Sequence, residues 1–374
     1  MKKIMIQISM ILLILLLSGC GKVKTNTGDN ADVITPTLQP TTTAPTEAVQ
    51  EDTKGNTSEN APKLIDYYPF TADTEYSYEG SGSEYAQYIR VTDFLDTANS
   101  RIQTRTNNGG SETVSVLEIK DGRLSVIKSL NECYYRDNIM TDAVAGEDAE
   151  VLLMEPLVQG TQWTLADGSK RSITAVDVAV TTPSGNYKAI EVTTENVNGN
   201  SKDYYAPQVG LVKSVYGSGD MEITSTLSEI KSDTPFIQNI NIYYPDADEK
   251  IYAEPLTLSF KTGDDTKQVL QAAICKEASK DSYLPLASIN TKINSLYLGK
   301  DNIVYADFSK ELVSDMNAGS GYEQLILQSI TNTLGSYYGV KEVMITMEGK
   351  AYESGHILMK KGETFKVDMD NVAK

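Results

Sequence analysis

Residues 303–349 constrain the fold more than any other stretch, because every local signal there agrees on one unit. Ile303-Val304-Tyr305-Ala306-Asp307-Phe308-Ser309 alternates, placing Val304, Ala306 and Phe308 on one face, which is the period of a half-buried strand. After a polar spacer, Ser320 is followed three positions on by Glu323. That pair predicts a capping box, in which the hydroxyl accepts from the third helical amide and the carboxylate reaches back to the cap amide. Ile326, Ile330, Leu334 and Tyr337 then recur at helical spacing, with Leu327 and Tyr338 widening the stripe. Gly339 ends the helix, since glycine adopts the left-handed conformation without a Cβ penalty. Val343, Ile345 and Met347 alternate again before Glu348-Gly349 turns the chain. The stretch is a strand–helix–strand unit.

Upstream of it, Ile240-Asn241-Ile242-Tyr243-Tyr244, a turn at Pro245-Asp246-Ala247-Asp248 and a strand over residues 254–260 form a first pair of strands. Asp265 with Gln268 predicts a second capping box, opening a helix through Val269, Leu270, Ala273 and Ala278. Residues 293–298, a turn at Gly299-Lys300-Asp301-Asn302 and residues 303–308 form a hairpin. The order β-β-α-β-β-α-β, with two helices covering one face of the sheet, makes a C-terminal α+β sandwich domain over residues 236–368. A strand-like tail, residues 357–367, extends that domain or returns to its neighbour.

Residues 63–231 form an N-terminal β-rich antiparallel domain. Val114-Ser115-Val116-Leu117-Glu118-Ile119, the turn Asp121-Gly122 and Leu124-Ser125-Val126-Ile127 give a clear hairpin. Asp167-Gly168, Gly185-Asn186 and Asn198-Gly199 mark further turns between short alternating runs. Strands so joined, with little helical pattern, curl into a half or closed barrel. Such a barrel holds an apolar ligand or fills its interior with side chains, and one sequence pattern serves both. Ser232-Asp233-Thr234-Pro235 is the hinge between the domains.

The N-terminus reads as an address. Lys2 and Lys3 precede a short apolar run, too short for a comfortable transmembrane helix, that closes on Leu17-Ser18-Gly19-Cys20. This end is similar to a bacterial lipobox, and the resemblance implies a 1–20 signal peptide and a thioether-linked diacylglycerol on Cys20, the lipidation site. Two acyl chains anchor stably where one does not, which places the protein on the extracytoplasmic side of the cell membrane. Residues 21–62 carry no aromatic residue and are rich in Thr, Pro, Asn and acidic residues, the composition of a disordered tether. As a flexible coil it spans on the order of 35 Å.

Val304-Tyr305-Ala306-Asp307-Phe308-Ser309, Ile330-Thr331-Asn332-Thr333-Leu334 and Gly339-Val340-Lys341-Glu342-Val343 resemble the signature of the GerM-N (sporulation and spore germination) domain. The resemblance reaches back to Asn241-Ile242-Tyr243-Tyr244-Pro245-Asp246 and covers the last third of the chain, with one such domain where the family's namesake has two. It implies a role outside the membrane in sporulation or germination, as a module that packs against neighbours in envelope complexes.

Chemistry is sparse. With 33 Lys+Arg against 51 Asp+Glu and no basic block, an acidic surface argues against nucleic acid as a partner. The single histidine, His356, argues against a triad or a transition-metal site; it follows Ser354-Gly355 with no cysteine or serine motif nearby and reads as a surface residue. Asp246, Asp248 and Glu249 lack the glycine and distal glutamate of a calcium loop and read as a solvated turn. Asp264 and Asp265 sit at a helix start, where carboxylates satisfy free amides. Ser320 is a cap, with no nucleophile turn around it. Cys133 and Cys275 lie in different domains and read as two separate thiols. No catalytic residue, metal ligand or cofactor is expected. The reading is a non-catalytic binding or scaffold lipoprotein with protein partners in the envelope; the alternative is a carrier holding a lipid or other apolar ligand in the β-rich domain.

Overall fold

The computed structural model describes residues 61–196, 199–217 and 222–373. Cys20, the 1–20 signal and residues 21–60 of the tether lie outside the described residues. After a short helix α1 (Leu64–Tyr67), the first six strands are β1 (Glu75–Ser81), β2 (Tyr88–Asp96), β3 (Arg101–Asn107), β4 (Glu112–Lys120), β5 (Arg123–Asn131) and β6 (Glu150–Met154). The next six are β7 (Gln162–Thr164), β8 (Lys170–Thr182), β9 (Gly185–Asn196), β10 (Gly199–Ala206), β11 (Gly210–Tyr216) and β12 (Ile223–Lys231). All twelve join one antiparallel sheet in the order β6-β5-β4-β3-β2-β1-β12-β11-β10-β9-β8-β7. Each half is a meander, and the two are joined by pairing of β1 with β12 from Glu75↔Lys231 to Ser81↔Thr224.

Turn chemistry sets this meander. Asp121 and Gly122 both have positive φ (50° and 68°), as the two-residue turn between β4 and β5 requires. Side chains draw the far ends of the sheet together. Trp163 Nε1 on β7 donates to the Val151 carbonyl on β6 at 3.0 Å, and Arg171 Nη1 on β8 donates to the same oxygen at 2.8 Å. The result is a near-barrel. Leu64, Leu117, Leu124, Leu153, Ile190 and Val192 pack into one of its hydrophobic clusters.

The C-terminal region begins with the hairpin β13 (Phe236–Pro245) and β14 (Ile251–Phe260), then α2 (Thr266–Ile274), β15 (Ile293–Leu298) and β16 (Val304–Phe308). There follow α3 (Glu311–Ser314), α4 (Ser320–Tyr338), β17 (Glu342–Met347), β18 (Lys350–Ala351) and β19 (Phe365–Lys366). The main strands and helices follow the expected order, but their assembly differs. β13 and β14 form a sheet of their own, while β15, β16, β17, β18 and β19 form a second one, with β16 and β17 parallel. Helix α4 packs against both sheets, so it is buried on more than the expected stripe. Ser329, Thr331, Asn332 and Thr333 are all fully buried. Their polar atoms are largely satisfied locally or by the neighbouring chain: Thr331 donates to Leu327 O, Thr333 donates to Ser329 O and accepts from Tyr243 N, and Asn332 clamps the Asp368 main chain. The tail does extend the second sheet, through Glu342↔Lys366 and Val343↔Phe365.

The helix starts divide. Asp265 caps α2, its side chain accepting from Lys267 N at 3.0 Å, although the helix stops before Ala278. At α4 the expected capping box is absent. Gly319 is the cap residue, with no side-chain cap bond, and Glu323 points instead into the interior. Among the described residues, no helix is long and apolar enough to cross a membrane.

Candidate functional site

The polar residues that matter most lie where the barrel meets the C-terminal sheets. Gln103 and Arg105 lie on the polar face of β3, and Asp93 sits at a bulge in β2, yet Asp93 and Gln103 are fully buried and Arg105 nearly so. The segment between β5 and β6 folds over them. Arg105 Nη1 donates to Cys133 O at 2.6 Å and Nη2 to Tyr135 O at 2.8 Å, while Gln103 bonds Asp137 O and Ile139 N. Asp93 anchors the group, taking Arg105 Nη2 at 3.1 Å and Gln103 Nε2 at 3.2 Å. Glu112 takes Arg105 Nη1 at 2.7 Å. Buried charges here are paired and multiply bonded, the condition under which they are tolerated.

Arg136, on that same segment, carries the network across to the C-terminal region. Its guanidinium lies 4.1 Å from the Phe94 ring centre and 4.8 Å from that of Phe260. It donates to the carbonyls of Asp93 (2.7 Å), Lys261 (3.1 Å) and Asp264. Thr266 donates to Arg136 O at 2.6 Å, and Arg136 N donates to the Tyr337 hydroxyl at 3.1 Å. Burial pushes the Arg136 guanidinium below its ordinary value, against the pull of Asp93, whose carboxylate stands 3.6 Å from Nε. Next to it, burial raises the Asp137 carboxyl to about 6, even though Tyr338 donates to it at 3.1 Å. Thr262 completes the seam, bonding Asp73 and Thr92 O.

Several depressions open around this seam and beside it among the described residues. One, 610 Å³, runs between β2, the β3–β4 turn and the start of β13. Tyr88, Val91, Phe236 and Ile237 give it an apolar lining and Glu75, Glu112 and Lys231 a charged one; Ile89 and Ile237 are 43% and 49% exposed. A second, 360 Å³, lies between Asp137-Asn138, the start of α2 and β15. A third, 440 Å³, is beside the start of α4. There Glu323 accepts from the Tyr352 hydroxyl at 2.7 Å and pairs with His356 Nδ1 at 2.8 Å. With a carboxylate as acceptor, Nδ1 carries the hydrogen. Burial would raise the Glu323 carboxyl, but hydrogen bonds from Ser354, Tyr352 and His356 outweigh it and hold it below its ordinary value. His356 stays at the surface, its side chain 45% exposed, and the Glu323 carboxylate is its partner there.

The other residues singled out in the sequence stay apart. Asp246 accepts from Asp248 N and Lys250 N in a turn, and Asp264 accepts from Lys261 N. Cys133 and Cys275 are free and buried, each near a main-chain carbonyl. Cys275 caps the end of α2 rather than lying inside it. No His, Cys, Asp and Glu cluster among the described residues suits a metal ion. Arg136, Arg105 and Asp93 were not foreseen. A charge in the middle of an otherwise β-prone strand was the available signal, but only the covering segment distinguishes it from a solvent-facing one.

Residues 241–353 match the Germane family, described as sporulation and spore germination, so the C-terminal region carries a Germane domain, as its resemblance implied. Several solved structures are similar, among them these three. The tandem GerMN domains of the sporulation protein GerM from Bacillus subtilis share 20% identity over 34% of this chain and 46% of that one, at a TM-score of 0.28. The first GerMN domain of the same protein shares 22% over 31% of this chain and 86% of that one, at 0.25. A candidate lipoprotein of Clostridium perfringens shares 20% over 35% and 87%, at 0.24. The chain spans less than half the length of the tandem-domain protein. No curated protein matches it.

Proposed function

We propose that this protein is a membrane-anchored, extracytoplasmic lipoprotein whose Germane domain binds protein partners in an envelope complex of sporulation or germination, without catalysis. The observation that carries the reading is the family match over residues 241–353, together with the way that domain is held. Bonds from Arg136 to the Lys261 and Asp264 carbonyls, from Arg136 N to the Tyr337 hydroxyl and from Thr262 to Thr92 O fasten it to the barrel, so the barrel acts as a rigid mount. The lipobox ending at Cys20 supplies the membrane end of the same reading. The 610 Å³ groove beside that domain, formed by the barrel and the start of β13 with the exposed Ile89 and Ile237 on either side, is the partner surface this arrangement favours, so the barrel shares in the binding.

In-cell photocrosslinking tests it, with the reactive group placed at Ile237 and, as a control, at Leu358, which is exposed and not among the groove's lining residues. Crosslinks from Ile237 to envelope proteins in sporulating cells, reduced by Cys20→Ala, are the expected result. Crosslinks that are equal in growing cells, or equal from Leu358, would remove the assignment. The carrier alternative has less support, because leucine, isoleucine, tryptophan and tyrosine side chains pack together in the barrel.

A further inference from the structure

The 360 Å³ depression has a different character from the groove. It falls within the size range of small-ligand sites, about 300–1,000 Å³. One side is aromatic. Tyr297 on β15 is 50% exposed and stacks on Tyr305 of β16, with ring centres 5.1 Å apart and planes 5° from parallel. The Tyr305 hydroxyl is tied to Asp301 at 2.7 Å, so the ring beneath Tyr297 is fixed and Tyr297 is a flat, supported wall. Leu296 and Phe94 add apolar surface.

The remaining lining is polar, with the carboxyl and amide groups of Asp137, Asn138 and Asp265 beside Thr266 and Lys267. Asp137 is held by Tyr338, Asn138 follows it, and Asp265 and Lys267 come from the first turn of α2. Asp265 is already engaged with Lys267 N, and its other oxygen lies 3.7 Å from Lys267 Nζ. Two carboxyl groups against one ammonium disfavour a phosphate or carboxylate ligand. A flat apolar hydrocarbon would leave the carboxyl and amide groups unpaired on burial. What matches both walls is a ring with an apolar C–H face and an equatorial rim of hydroxyls. The C–H face lies on the tyrosine, and carboxylate and amide groups take vicinal hydroxyls two at a time.

We infer that the cleft between Asp137-Asn138, the start of α2 and Tyr297 binds an uncharged saccharide, with Tyr297 as the stacking platform and Asp137, Asn138 and Asp265 as hydroxyl partners. The site is separate from the groove assigned to protein partners and stands or falls apart from it.

The test uses the full chain in detergent, titrated calorimetrically with chitotriose, cellotriose and inorganic phosphate. Binding of either saccharide is expected, with Tyr297→Ala weakening it about tenfold or more, Tyr297→Phe retaining it, and Tyr85→Ala elsewhere on the surface leaving it unchanged. Saturation-transfer NMR should place the sugar C–H face against a tyrosine ring. No saccharide binding up to about 10 mM overturns the inference. So does preferential binding of phosphate, or saccharide binding that Tyr297→Ala leaves intact.

Discussion

At the scale of single residues, the seam between barrel and Germane domain rests on groups that have no water to fall back on. Arg136→Ala would strip the carbonyls of Asp93, Lys261 and Asp264 of their donor. Breaking such a buried cationic node costs about 3–5 kcal/mol, which urea denaturation would register as a lower midpoint. Asp137 behaves in the opposite sense. Its carboxyl sits at about 6 when folded against an ordinary value of 3.8, so the folded state binds the extra proton between about pH 4 and pH 6. Its contribution to stability therefore falls as pH rises through that window, and a constant penalty of at most about 3 kcal/mol remains above it. Asp137→Asn should be more stable than the native chain at pH 7 and equal to it near pH 4. A stability difference between the two that does not change with pH would contradict this. Burial also raises both thiols, Cys133 and Cys275, so neither should react with a disulfide reagent until the chain unfolds.

At the scale of elements, Glu323 shows where a local rule yields to tertiary structure. Ser320 and Glu323 have the spacing of a capping box, but the chain around Tyr352 and His356 folds back on the start of α4 and offers the carboxylate a buried hydroxyl and a half-exposed imidazole. An exposed cap amide cannot compete with that. Glu323→Gln should loosen the 350–366 segment by about 1–3 kcal/mol, visible as faster amide exchange there than in α4. The carboxyl lies below its ordinary value, so the stability it contributes is present above about pH 4.3 and lost as pH falls through the folded value. The Gln variant should lack that acid sensitivity. The same logic explains what was legible in the sequence. Alternation, the Asp121-Gly122 turn and the Asp265 cap are short-range features, and they hold. The apolar stripe of α4 was legible, but nothing local reveals that β13 also covers Thr333 on its polar side. Asp93, Gln103 and Arg105 carry no local sign of burial either, since the segment that covers them lies beyond the next two strands. The Tyr297 cleft is assembled from three separated stretches, so no single window of sequence contains it.

At the scale of the whole molecule, the question is whether barrel and Germane domain behave as two bodies or one. The Ser232-Asp233-Thr234-Pro235 link, met alone, suggests a hinge. Yet Thr234 N donates to Asp73 O at 2.9 Å, Gly263 N to Asp93 O at 2.9 Å, and Gln238 Nε2 to Tyr134 O at 2.6 Å, all between the two regions. Opening such a hinge would also strand Arg136 and uncover Phe94 and Phe260, so local opening should cost nearly as much as global unfolding. The single tryptophan makes this measurable, because Trp163 is buried in the barrel and reports on that region alone. Its fluorescence in increasing urea should trace the same transition as amide exchange in residues 303–349, as a two-state unit requires. In Arg136→Ala the two curves should separate, with one region losing structure at lower urea while the other persists. If they are already apart in the native chain, the buried seam does not couple the regions. The Germane domain would then work as a free module on the Ser232-Asp233-Thr234-Pro235 link, and the rigid mount invoked for partner binding would fail with it.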